Sequence, residues 1–362
     1  MKKFFITGGG TGGHIYPAIA VADALKDYEI YYVGNPKNLE FEIVSKKGYN
    51  FLGVDISGMP RTFGLKLFKW IFQLCFAILK CCGYISKYKP DAVFGTGGYV
   101  SAPALLAAKI MNVPFMMHDC DAQPGLVTRK IAPYASCVSL AFDCAEKYVK
   151  NKNCHINGNP IRAEFQTLSK SNARERLGLE NKLTLCIMGG SQGARSINDA
   201  SIHVLKQLSK EFDIQIIFQT GKKNFGTVIE QLLKIYPEYE TDKNIIIKPY
   251  FDDMVTVLKA SDIALSRSGS LSISEICASG IASVFVPYPY AAADHQRKNA
   301  RYMLEKNAAL YIEDDELNPA KLLNVLTLII SDKRKLAELQ NSALSLAKFD
   351  GVQRIVEQLL NI

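Results

Sequence analysis

No apolar run in this 362-residue chain comes near the roughly 18–20 residues that a membrane-spanning helix needs. No C-x-x-C pair occurs among the nine cysteines, and their number is odd. Neither a disulfide framework nor a zinc site is therefore expected, and the thiols read as reduced, in a cytosol. Met1–Ile6 carries two lysines and a short apolar run, but Gly8–Gly10 cut it off, so no signal peptide is expected. The absence of G-K-[ST] excludes a Walker phosphate loop. With 48% hydrophobic and 22% charged residues, disorder and collagen-like architecture are excluded as well. What is present is a modest basic excess, 43 Lys and Arg against 35 Asp and Glu, or +8. It suits an anionic ligand or an anionic membrane surface. The length fits two domains.

Short β-rich runs alternate with amphipathic, helix-length runs. Strands are expected at 4–7, 30–33, 92–95, 115–118, 137–140 and 154–157, with helices between them, for example Pro17–Leu25 and Ser101–Met111. Strict alternation implies an α/β fold with parallel sheets. Around Gly158-Asn159-Pro160-Ile161-Arg162 the pattern pauses, and it restarts with a strand at Leu183–Met188. Further strands are expected at 215–219, 244–248, 262–266 and 283–287. Both halves open with strand, glycine loop and helix, which predicts two Rossmann-like domains with a site in the cleft between them, outside the carboxyl ends of the strands.

The first glycine loop matches G-x-G-x-x-G at Gly8, Gly10 and Gly13. The nicotinamide reading wants an acid at the end of the second strand, but that strand ends Val33-Gly34-Asn35. The better reading is a loop whose N–H groups and helix N-terminus meet phosphate or sugar. His14 follows at the helix start, where the dipole disfavours the imidazolium form, so a neutral imidazole acting as general base is expected. Two more glycine loops follow strands, Gly95–Gly98 and Gly189–Gly193. The most specific segment is Ser266–Glu275. Its serines offer helix caps, and Glu275, one turn in, could take both hydroxyls of a ribose. Asp294 reads as an N-cap, which puts His295 and Gln296 in a first helical turn. Asp119-Cys120-Asp121 formally matches the D-x-D of metal-dependent sugar transferases, but hydroxyl binding or capping is the stronger reading, and no metal is expected.

Met59–Pro90 holds six Lys and Arg (Arg61, Lys66, Lys69, Lys80, Lys87 and Lys89) and no acid. On a helix, Leu65, Phe68, Phe72, Cys75, Leu79 and Cys82 form an apolar stripe, widened by residues that include Trp70. The arc exceeds what a core contact needs, which favours docking on an anionic bilayer. The competing reading is a buried Rossmann helix with a basic edge.

Taken together these residues resemble the bacterial MurG glycosyltransferase family over nearly the whole chain. The motifs are GGGTGGH at 8–14, GTGGYVSAP at 95–103, HDCDAQPGL at 118–126, GNPIR at 158–162, GGSQGARSIN at 189–198, SRSGSLSISE at 266–275 and DHQRKNA at 294–300. The resemblance implies an inverting, metal-independent GT-B enzyme without a cofactor, moving N-acetylglucosamine from UDP-GlcNAc to the muramyl 4-hydroxyl of undecaprenyl-linked lipid I to give lipid II. It implies an acceptor and membrane-facing domain over 1–161, to which a C-terminal helix at about 347–362 returns, and a UDP-GlcNAc domain over 162–346. By resemblance, Arg162 and Ser191 would lie near the diphosphate, Phe251 beside the uracil, and Ser270, Leu271, Ser272, Ile273 and Ser274 along the nucleotide. Glu275 would hold the ribose and Gln296 the sugar hydroxyls. Thr11, Gly12, Gly13 and Asp121 would face the transferred sugar, with His14 as the base. Gly10, Gly97, Gly98 and Tyr99 would form acceptor and diphosphate loops, and Arg61, Lys66, Lys69, Trp70 and Phe72 a membrane patch. The family often has Asn where this chain has Asp121, and an ionised acid accepts but does not donate; Cys120 likewise replaces a usual polar residue. The expected location is peripheral, on the cytoplasmic face of the inner membrane. Other cell-wall synthesis proteins are further expected partners, and nucleic acid is not. Rivals are a transferase acting on another lipid such as diacylglycerol, a UDP-GlcNAc epimerase, a membrane scaffold and a dehydrogenase. The basic patch argues against the epimerase, intact His14, Glu275 and Gln296 against the scaffold, and Asn35 against the dehydrogenase.

Overall fold

The computed structural model describes residues 1–60, 64–190 and 192–362. Two residues singled out above, Arg61 and Ser191, lie outside them. The chain forms two compact units. Unit 1 is Met1–Ile161 with Asp350–Ile362, and unit 2 is Arg162–Phe349.

Unit 1 is built on seven parallel strands: β1 Lys3–Thr7, β2 Glu29–Gly34, β3 Asn50–Gly53, β4 Ala92–Gly95, β5 Phe115–Asp119, β6 Cys137–Leu140 and β7 Cys154–Ile156. Their order is β3-β2-β1-β4-β5-β6-β7, so the topological switch falls between β1 and β4. Strands buried on both faces need continuous apolar sequence. Phe4-Phe5-Ile6 and Ala92-Val93-Phe94 supply it, all at 1% exposure or less. Unit 2 repeats the plan with six parallel strands: β8 Thr184–Met188, β9 Gln215–Gln219, β10 Ile245–Lys248, β11 Ile263–Ser266, β12 Ala282–Phe285 and β13 Leu310–Tyr311. Here the order is β10-β9-β8-β11-β12-β13, with the switch between β8 and β11.

Several elements differ from the sequence reading. Strands β3 and β13 are not among the expected ones: β3 is four residues with glycine at its end, and β13 is two. The first helix spans Gly12–Ala24 rather than starting at Pro17, because Thr11 O accepts from His14 N and Ile15 N and carries the helix back through both glycines. The helix after β4 likewise begins early, at Gly98. The C-terminal segment of unit 1 is Asp350–Ile362, and its helix is Gly351–Leu360. Ile355 and Leu359 of that helix are buried in one cluster with Phe4, Ile6 and Ile15.

The helix Leu65–Tyr88 buries only a narrow side. Ala77, Cys81 and Ile85 join the core with Ala104 and Ala108 of the helix Gly98–Ile110. Phe68 (63% exposed), Phe72 (76%), Phe76 (73%) and Leu79 (69%) face outward. A fully buried helix is thus excluded, and Phe76, absent from the expected stripe, belongs to it. Lys66 and Lys69 are exposed, while Trp70 is half-buried and donates from Nε1 to Ser57 O at 2.8 Å. Among the described residues no helix is long and apolar enough to cross a membrane.

Candidate functional site

In unit 1 the carboxyl ends of β1 and β4 bring two glycine loops together around His14. The imidazole Nδ1 lies 2.9 Å from Thr96 O. A carbonyl only accepts, so Nδ1 carries a proton, and in the neutral ring Nε2 is the nitrogen with the lone pair. Thr96 Oγ1 donates back to His14 O at 2.6 Å, which closes the clamp. The neighbouring glycines make room for the ring. At Gly98, with φ +73°, a Cβ would stand 2.9 Å from Gly9 O and 3.0 Å from His14 Cδ2. Gly97 also has a positive φ, +83°, and Tyr99 packs against Gly10. Thr11 is exposed, and Gly12, Gly13 and His14 are half-buried beside it.

Gly10 departs from expectation. Its N–H is not turned outward to a phosphate but donates to Glu40 Oε2 at 3.2 Å. Glu40 is wholly buried, and nothing in its sequence neighbourhood sets it apart from an ordinary acid in the first turn of a helix, here Leu39–Lys46.

At the end of β5 the HDCDAQPGL motif is mostly architectural. Asp119, 2% exposed, accepts from Asp121 N at 3.1 Å and Gly125 N at 3.2 Å. Burial, with the Asp121 charge beside it, pushes the Asp119 carboxyl above its ordinary range. Asp121 is half-buried on the loop so formed. His118 is fully buried; it receives from Ser139 Oγ (2.9 Å) at Nδ1 and donates from Nε2 to Asn159 Oδ1 (3.1 Å). Burial pulls its pKa down to about 4, so it stays neutral. Asn157 extends the network to Gln358 of the C-terminal helix at 2.7 Å.

Unit 2 gathers its own set at the carboxyl ends of β8, β9, β11 and β12. Arg162 Nη2 meets Glu275 Oε1 at 3.2 Å. Burial raises the Glu275 pKa, and the guanidinium partly offsets that. Glu275 lies on the helix Ser270–Ser279, whose first N–H groups have no acceptor within the helix. Its N-cap is Gly269, not a serine. Ser268 Oγ instead donates to Gln296 O (2.8 Å), and Ser274 Oγ to Ser270 O (3.1 Å). Leu271 and Ser272 are half-buried, whereas the Ile273 side chain is buried, which leaves only its backbone for a ligand. Phe251 N is held by Gln219 Oε1 at 2.9 Å. Gln296 Oε1 accepts from Tyr288 N at 3.0 Å. Asp294 does occupy the N-cap of the helix His295–Glu305, but its backbone is left-handed (φ +58°) and its side chain does not cap. The carboxylate pairs with Arg297 at 3.1 Å. Arg267, to which the sequence assigns no role, ties Ser196 (2.9 Å) to Asp314 (2.5 Å) and, through the carbonyls of Val286 and Pro287 at 3.0 Å, braces the ends of β11 and β12.

These side chains can move a proton at His14 Nε2, and can offer N–H groups, a cation and a carboxylate to a phosphorylated, hydroxyl-rich ligand in unit 2. Among the described residues no cluster of three His, Cys, Asp or Glu could hold a metal ion.

Residues 4–140 match the glycosyltransferase family 28 N-terminal domain, and residues 184–358 the glycosyltransferase family 28 C-terminal domain. A curated relative from Desulforamulus reducens is 36% identical, with 98% of this chain and 97% of the relative covered. Its name is UDP-N-acetylglucosamine–N-acetylmuramyl-(pentapeptide) pyrophosphoryl-undecaprenol N-acetylglucosamine transferase. The crystal structure of MurG from Acinetobacter baumannii superposes with a TM-score of 0.81 at 25% identity, over 100% of both chains. A UDP-GlcNAc 2-epimerase from Neisseria meningitidis, bound to UDP-GlcNAc, covers the same extent at TM-score 0.67, but its 14% identity speaks to the fold alone.

Proposed function

The chain belongs to the MurG family of N-acetylglucosamine transferases, and on that premise we propose that it moves N-acetylglucosamine from UDP-GlcNAc to the muramyl 4-hydroxyl of lipid I, giving lipid II for peptidoglycan. The observation that carries the reading is the clamp on His14, which fixes Nδ1–H on Thr96 O and leaves Nε2 as a proton acceptor. The 4-hydroxyl attacks the anomeric carbon as Nε2 takes its proton. UDP leaves, and the anomeric centre inverts. Charge gathering on the leaving diphosphate is met by the N-terminus of the helix Ser270–Ser279 and by Arg162 and Ser191. Glu275 takes the ribose hydroxyls and Gln296 the sugar. With Phe251 N–H already committed to Gln219, contact between the Phe251 backbone and uracil runs through its carbonyl. Thr11, Gly12, Gly13 and Asp121 face the transferred sugar, and Gly97, Gly98 and Tyr99 the acceptor.

The exposed Phe68, Phe72, Phe76 and Leu79 with Lys66 and Lys69 support docking on the anionic inner-membrane surface, from the cytoplasmic side and without spanning it. The test is transfer of labelled N-acetylglucosamine to a lipid I analogue in detergent with chelator present. Turnover is expected. UDP-GlcNAc binding with lipid I untouched would leave the donor assignment standing and overturn the acceptor assignment; diacylglycerol is the next acceptor to offer. For the membrane face, Phe68→Asp/Phe72→Asp should reduce co-sedimentation with phosphatidylglycerol vesicles severalfold, and unchanged sedimentation would overturn it.

A further inference from the structure

Glu40 is a carboxylate buried to 0% exposure at the carboxyl end of the unit 1 sheet. Among the described residues no lysine, arginine or histidine pairs with it. Its oxygens are met by amides alone: Gly10 N and Asn35 N, each at 3.2 Å, and Asn38 Nδ2 at 3.4 Å. Removing a carboxylate from water is costly, and amide donors offset that only in part. An apolar side chain would fill this volume more cheaply, yet the surroundings are shaped for the acid. A Cβ on Gly9 would stand 2.6 Å from Glu40 Oε1, and one on Gly34 3.1 Å from Glu40 Cγ.

The bonds from Glu40 lead to both glycine loops. In one direction it holds the Gly10 peptide, next to Thr11, whose carbonyl accepts from His14 N and starts the helix. In the other, Asn38 Nδ2, beside Glu40, also reaches Tyr99 OH at 3.1 Å. Tyr99 follows Thr96 on the second loop, and Thr96 O holds His14 Nδ1. One buried carboxylate thus sets the spacing of the two loops that grip the imidazole between them.

We infer that Glu40 is a positioning residue of the transfer reaction, acting through Gly10 and through Asn38–Tyr99 to hold His14 in its Nδ1–H form with Nε2 aimed at the acceptor hydroxyl. It also takes up the Gly10 N–H, so the loop serves a hydroxyl and an imidazole rather than a phosphate. This rests on the transferase reading above.

Glu40→Gln keeps the size of the side chain but turns one acceptor into a donor that faces an N–H. We expect kcat to fall at least tenfold, while the donor KM and the dissociation constant of UDP, which belong to unit 2, stay within twofold. Tyr99→Phe, which leaves the Glu40–Gly10 bond in place, should lower kcat about threefold with the same unchanged donor KM, and it serves if Glu40→Gln does not fold. A kcat within twofold of wild type in Glu40→Gln, or in Tyr99→Phe where that variant stands in, overturns the inference. A second readout does not need turnover. The ¹⁵N shifts of the His14 ring, assigned with His14→Gln, should show the Nδ1–H tautomer in the wild type and a mixture in Glu40→Gln. Should the wild type itself fail to transfer, the transferase reading falls, and an unchanged tautomer in Glu40→Gln would still count separately against Glu40.

Discussion

Both units open with a strand, a glycine turn and a helix, yet the two turns are held by different means. The turn of unit 1 is gripped by side chains: Glu40 on Gly10, Thr96 on both ends of His14, and Tyr99 against the loop. In the turn of unit 2 the side-chain bonds go to carbonyls, Gln219 Nε2 to Gly190 O and Asn224 Nδ2 to Gln192 O, both at 3.3 Å, and backbone packs closely on backbone. A Cβ on Gly189 would overlap Ala194 N, and one on Gly193 (φ +78°) would overlap the carbonyl of Thr220. On the proposed reading the difference separates two tasks. A proton acceptor must be held in one tautomer and one direction, which takes hydrogen bonds to its ring. An anion needs only bare N–H groups at close range, which takes an absence of side chains.

The contrast can be broken most severely at His14. His14→Ala should lower kcat by about 10²–10⁴-fold, roughly 3–5 kcal/mol of transition-state stabilisation, with UDP affinity by titration calorimetry unchanged. A loss of UDP affinity to match would mean that the two turns do not divide the work. Next comes the packing in unit 2. Gly193→Ala should destabilise this unit by about 2–4 kcal/mol, from overlap added to left-handed strain. Gly190→Ala has the same sign of φ (+80°) but nothing within 4 Å of the added Cβ, so it should cost only about 1–2 kcal/mol. Hydrogen exchange of the β8 and β9 amides reads both. Fluorescence of Trp70, the single tryptophan and a residue of unit 1, should unfold at an unchanged denaturant concentration.

The smallest effect is the most diagnostic. Glu275→Gln should raise the donor KM about tenfold, some 1.4 kcal/mol, with kcat nearly unchanged. Burial holds the Glu275 pKa above its ordinary 4.5. On the proposed reading the ionised form accepts the ribose hydroxyls, and it is lost as pH falls through a value above 4.5. The wild-type donor KM should rise in that direction and the variant's should not. A KM–pH profile that is the same in both would remove Glu275 from the ribose.

The sequence disclosed the alternation of strands and helices, because strands buried on both faces must be written as unbroken apolar runs. It disclosed the glycine turns too, whose residues are crowded into a few positions. It hid whatever joins distant positions. Glu40 bonds a residue thirty places earlier, and Arg267 reaches Ser196 and Asp314 across still longer stretches. Each of these charged residues resembles an ordinary one in its own neighbourhood. Gly12 and Gly13 read as turn, which conceals the helix that runs back through them.

The return of residues 350–362 to unit 1 has a consequence for biosynthesis. The cluster around Phe4, Ile6 and Ile15 is completed by Ile355 and Leu359, which the ribosome adds only after all of unit 2. At a synthesis rate of about 5–20 residues per second, that wait lasts roughly 10–40 s. The unit begun first is thus finished last, and during the interval its unclosed apolar flank is available to chaperones and to proteases.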